Sequence, residues 1–159
     1  MTQSEISSNL PISSLSPAAP GPAHRSKTTV AWLACLLGVF GAHWWYLGRP
    51  RAWMVTAYSC LMIVLARFYP VWWDNPPFLL LLLPIADGYI EALIFALKPD
   101  DKFDRKYNPH SAQVTQTRWG PVIAAIVTTV LMGVVLVFGI AMAVIYIYTA
   151  MGWLDGLKL

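Results

Sequence analysis

Asp87 and Glu91 stand four apart in an otherwise apolar run, Phe78–Leu97, and therefore share one helix face. An ionised carboxylate in the middle of a membrane helix costs about 2.5–3.5 kcal/mol on insertion scales. Two carboxyls on one face can hold a proton or a cation, or they can make a buried polar contact that fixes helix packing. The packing reading is preferred, because a conduction path needs polar residues on several helices and the other segments offer few. His43 is the natural partner for Glu91. If all the apolar segments cross the membrane, the two lie at similar depth; if one fewer crosses, their depths part. His43, Asp87 and Glu91 are thus the candidate intramembrane polar site. No catalytic residue is assigned. The chain has no Gly-rich phosphate loop, no His-Glu-x-x-His run and no Gly-x-Ser-x-Gly elbow. Thr56 and Ser59 are isolated hydroxyls expected to bond back to their own helix carbonyls. His24, His43 and His110 are scattered, Cys35 and Cys60 form no ligand pair, and Asp100, Asp101 and Asp104 lack the Gly and closing Glu of a calcium loop. No metal and no cofactor are expected.

The elements that position these residues follow from where charge is missing. The chain has 159 residues, 57% of them hydrophobic and only 12% charged. This excludes a soluble globular domain, a disordered chain and a nucleic-acid binder; the partner is the lipid bilayer, with a homo-oligomer or another membrane protein beside it. The expected fold is an all-α membrane protein with about four hydrophobic helices, near 28–48, 53–68, 77–97 and 121–150. The second is short for a span, which needs ~20 apolar residues. The last, at about 45 Å, exceeds a hydrocarbon core of about 30 Å. Asp74 or Asn75 can cap the third, with Pro76 and Pro77 in its first turn. Tryptophans cluster near the segment ends, as at a headgroup boundary. Gly38 with Gly41, and Gly139 with Ala143, allow close helix approach. Residues 1–24 read as a disordered Ser/Pro/Ala-rich tail without a cleavable signal peptide, 98–120 as a polar loop, and 121–153 as an additional helix. Orientation stays open. Four crossings with the N-terminus outside and three with it inside each place seven basic residues on the inner side against four outside. Both put the 98–120 loop in the cytoplasm.

Lys27 precedes the first apolar run, which ends Gly38-Val39-Phe40-Gly41-Ala42-His43-Trp44-Trp45-Tyr46-Leu47-Gly48-Arg49. A basic-Ser-Lys start followed by Gly-x-x-Gly-x-His-x-x-Tyr-Leu-Gly resembles the TM-two domain family, small integral membrane proteins named for two transmembrane segments. The motif positions are Lys27, Gly38, Gly41, His43, Tyr46, Leu47 and Gly48, and the likeness extends over about 25–97. Trp44-Trp45 stands where members usually have Arg-Phe. The aspartate of the family's second helix matches Asp87 best, which makes 53–68 extra material. The resemblance implies a non-enzymatic membrane protein acting through helix association or membrane-protein assembly, with a small proton- or cation-conducting oligomer using Asp87 and Glu91 as the alternative. The lack of a signal peptide points to a bacterial inner membrane, multi-pass.

Overall fold

The computed structural model describes residues 23–153. The tail expected over 1–24 lies outside them, except for its last two residues. Every regular element among the described residues is helical: α1 (Lys27–Leu37), α2 (Ala42–Leu47), α3 (Ala52–Ala66), α4 (Pro76–Leu80), α5 (Leu82–Leu97), α6 (Asp100–Tyr107) and α7 (Trp119–Ala150).

The first segment is not one spanning helix over 28–48. It breaks at a 3-10 turn, Gly38–Phe40, and Gly41 takes φ 67°. Glycine enters this left-handed region without the Cβ clash other residues meet. The chain therefore doubles back. The Tyr46 hydroxyl accepts a 3.0 Å bond from Ser26 N, at the start of α1. Leu47 packs with Val30 and Ala31, one turn into the same helix. With 11 residues, α1 rises about 16 Å before the chain reverses. Breaking a helix strands carbonyls, and α3 supplies their donors. Ser59 Oγ bonds Val39 O, and Thr56 Oγ1 donates to Phe40 O at 2.7 Å. The expectation that both hydroxyls serve their own helix is corrected: only Thr56 also reaches back, to Ala52 O at 3.4 Å.

The helix expected over 77–97 starts at Pro76, capped by Asn75, whose side chain accepts from Phe78 N at 2.9 Å. It pauses at Leu81 between α4 and α5. Pro84 has no N–H and crowds the carbonyl four residues back, that of Leu80. The Tyr58 hydroxyl takes up that carbonyl at 3.2 Å. The polar loop expected over 98–120 contains a helix, α6. Asp100 and Asp101 stand in its first turn and Arg105 and Lys106 in its last, matching the helix dipole.

Helix α5 packs between α1 and α7. Small residues let the three approach. Ala31, Ala34, Ala92, Ala96 and Ala124 are buried, with Val30, Leu47, Phe95 and Phe103 filling the space at one end. At the crossing, a Cβ on Gly38 would sit 2.6 Å from Gly88 Cα. Gly41 serves the turn and not this face. On α7, Gly139 receives the Leu82 side chain.

Pro76–Leu97, 22 residues, and Trp119–Ala150, 32 residues, are long and apolar enough to cross a membrane; Lys27–Phe40 and Ala52–Ala66 are shorter apolar helices. Two of the four expected segments thus have the length of a span.

Candidate functional site

The hairpin brings His43, Trp44 and Arg49 onto one side chain of α5. Glu91 Oε2 lies 2.7 Å from His43 Nε2 and accepts a 3.0 Å bond from Trp44 Nε1. Glu91 Oε1 accepts from Arg49 Nη1 at 2.6 Å. The histidine contact has ion-pair distance, but the ring is not aligned for a hydrogen bond, and His43 Nδ1 is buried without a partner among the described residues. His43 is 1% exposed and Glu91 16% exposed, so the carboxylate has exchanged water for these groups. The Arg49 guanidinium stacks 4.8 Å from the Trp44 ring centroid, which covers its apolar face. Burial works against the Arg49 charge, but the bond to Glu91 outweighs it and holds the guanidinium's pKa above its ordinary value.

His43 and Glu91 meet, as matching depths would allow, and the α1–α2 hairpin is what brings them together. Asp87 stands apart. Among the described residues it makes no hydrogen bond or ion pair, and it lines an open groove with Met54, Val55, Tyr58, Leu83 and Pro84. The candidate trio therefore divides into a paired His43–Glu91 and a separate Asp87. No group of three His, Cys, Asp or Glu side chains among the described residues can hold a metal ion.

Sequence reasoning missed Arg49 and Trp44. The usable signal was charge balance: a carboxylate inside a membrane segment needs a cation, and Arg49 is the basic residue nearest His43 in the chain.

A second knot forms where α1 begins. Lys27 is 3% exposed, and its Nζ donates to Lys98 O at 2.6 Å, Asp100 Oδ1 at 2.8 Å and Thr117 Oγ1 at 2.9 Å. Asp100 also accepts from Thr117 N at 2.6 Å, and Asp104 accepts from Thr115 N at 2.6 Å and Asn108 Nδ2 at 2.8 Å. Burial acts to raise both carboxyls; the bonds from Lys27, Thr117, Thr115 and Asn108 prevail and hold both pKa values below the usual range. Asp100 and Asp104 are thus spent on tying the 108–118 segment to α6 and α1, while exposed Asp101 lies 3.6 Å from Arg105 within α6.

Each motif position now has a structural place. Lys27 ties α1 to the polar segment, Gly38 meets Gly88, and Gly41 and Gly48 turn the chain at φ 67° and 68°. His43 faces Glu91, Tyr46 holds the start of α1, and Leu47 fills the core beneath it. Residues 23–73 match the family model for the TM2 domain. The match takes in α1 through α3, so the 53–68 segment lies inside it and is not additional, while Asp87 and Glu91 lie beyond it. Neither the curated proteins nor the solved structures hold a match to the chain. With its all-helical fold and two helices of spanning length, the chain is a membrane protein that carries a TM2 domain over residues 23–73.

Proposed function

We propose that the chain is a multi-pass, non-enzymatic protein of a bacterial inner membrane that works through helix–helix association, with its own copies or with another membrane protein. The observation that carries this reading is how its intramembrane polar groups are spent. Glu91 is enclosed by His43, Trp44 and Arg49; Ser59, Thr56 and Tyr58 serve carbonyls freed at helix breaks. These contacts hold helices together. Gly133 adds support: nothing lies within 4 Å of a Cβ there, so α7 presents a small residue on an uncovered apolar face. Small residues favour close association in lipid.

One observation favours the conducting alternative. Asp87 is an unpaired carboxyl, among the described residues, on a helix of spanning length. Both readings are tested in liposomes carrying the purified protein. Association predicts no proton or cation flux in wild type, and Förster transfer between labelled copies, or co-purification of a partner, that falls severalfold in Gly133→Leu. A flux abolished by Asp87→Asn in a folded variant would overturn association in favour of conduction.

The same reading carries an orientation. Arg25, Lys27, Arg49, Arg51, Lys98, Lys102, Arg105, Lys106 and Arg118 all stand at the end where α1 starts and α5 finishes; Arg67 is the one basic residue at the opposite end among the described residues. That asymmetry supports placing the basic end in the cytoplasm. The α1–α2 hairpin is then re-entrant, and α3, α4–α5 and α7 make three crossings. Because α5 descends to the basic end, α3 and the 67–75 segment must carry the chain across first.

A further inference from the structure

We propose that the cavity between the start of α1, the end of α6 and the 108–111 turn binds the phosphate headgroup of an anionic lipid. The cavity measures about 440 Å³, within the size of small-ligand sites. Its lining includes Arg25, His24, His110, Tyr46, Tyr107 and Asn108, and no carboxylate.

The charge at this end is unevenly committed. Lys27 is paired with Asp100, Arg49 with Glu91, and Arg105 lies 3.6 Å from Asp101. The Arg25 guanidinium has no carboxylate or hydrogen-bond partner among the described residues. Its backbone, however, is clamped from both sides: Arg25 N donates to Asn108 Oδ1 at 2.8 Å, and Asn108 Nδ2 donates to Arg25 O at 3.1 Å. An unspent guanidinium carried on a fixed stretch of backbone beside a concave site suits a bidentate anion. Other donors converge there. The Tyr46 hydroxyl accepts from Ser26 N and keeps its own proton to give. His110 is exposed. His24, by contrast, is a wall, held by Ser111 Oγ at 3.1 Å and Thr115 Oγ1 at 3.2 Å. The tyrosine rings, Ala23 and Pro109 give apolar walls for the glycerol portion behind a phosphate. The lipid source rests on the proposed placement of this end at the membrane–cytoplasm boundary, where basic pockets meet anionic headgroups.

The test is calorimetric titration of the full chain in uncharged detergent with short-chain phosphatidylglycerol, short-chain phosphatidylcholine and inorganic phosphate. The expected result is saturable phosphatidylglycerol binding, tighter than phosphatidylcholine, weakened about tenfold by Arg25→Gln, the worth of one hydrogen bond between charged groups. Arg25→Lys retains part of it, and Arg51→Gln, a charge outside the cavity, leaves it within about twofold. If Arg25→Gln does not fold, His110→Ala carries the same comparison with a smaller loss. Equal losses in Arg25→Gln and Arg51→Gln, or no saturable binding, overturn the site. Inorganic phosphate binding as tightly as the lipid, with the same Arg25 dependence, overturns the lipid and leaves a site for free phosphate. Placement fails separately: His110→Cys labelled from the non-cytoplasmic side overturns the boundary location whatever the titration gives.

Discussion

Glu91 shows how a buried charge is made tolerable. Alone in a span it would be costly; between His43, Trp44 and Arg49 both oxygens are occupied. Removing the acid leaves Arg49 and His43 facing each other with nothing between them. Glu91→Ala is therefore expected to destabilise the fold by about 2–4 kcal/mol, while Glu91→Gln, which keeps one acceptor oxygen, costs roughly half as much. Unfolding titration in mixed micelles measures both. Equal stability of Glu91→Ala and wild type would mean that the contact is incidental. Asp87→Asn serves as the internal control, because Asp87 has no partner to lose among the described residues. At this scale the acidic pair was legible, since two carboxyls in an apolar run stand out in any sequence. Their separation into a paired Glu91 and an unpaired Asp87 was not, because residues four apart share a face only approximately and the neighbours decide which one is covered.

Helix breaks are the next scale. Hydropathy reads Thr28–Leu47 as one apolar segment, and composition cannot say that it reverses. The reversal needs Gly41 at φ 67°, a tight 3-10 turn, and donors on α3 for the stranded carbonyls. Glycine spacing was visible, but one glycine makes the turn while the other makes a helix contact. Gly38→Ala places a methyl 2.6 Å from backbone Cα of Gly88, which no rotamer can relieve. A loss of about 1–3 kcal/mol is expected by the same micelle titration, against little change for Gly133→Ala, where space is open. An unaffected Gly38→Ala would contradict the close crossing. The polar segment carries a pH prediction. Asp100 and Asp104 have depressed pKa values when folded, so their contribution is complete above the unfolded carboxylate value, near 3.9, and is lost as pH falls through the lower folded values. The amide resonances of Thr115 and Thr117 are expected to shift with midpoints below 3.9. Asp104→Asn should remove the step at Thr115 alone. Midpoints at or above the ordinary value would show that the carboxyls are not held.

For the whole molecule, the question is which end faces which side. Labelling of single cysteines with an impermeant reagent in oriented membranes separates the arrangements. Three crossings with a re-entrant hairpin predict Arg51→Cys and Ser111→Cys labelled from the cytoplasmic side and Val71→Cys from the other. Four crossings with the N-terminus outside agree on these three sites but place Arg25→Cys outside, so Arg25→Cys decides between them. Arg51 and Ser111 on opposite sides would overturn the hairpin arrangement.

Composition and the length of the charge-free runs pointed to a membrane protein built from helices, because a 57% hydrophobic, 12% charged chain has little polar surface to show water and runs of about twenty apolar residues suit helices in hydrocarbon. The TM2 motif, too, was readable, since its residue types and spacing are linear. Tertiary structure decided the rest. Whether an apolar run crosses or doubles back depends on a backbone angle at Gly41 and on hydroxyls sixteen and twenty residues beyond the carbonyls they bond, and the partner of Glu91 depends on that reversal. Basic residues that counted equally for two orientations come together at one end only after the chain folds back, because depth is a property of the path and not of the sequence.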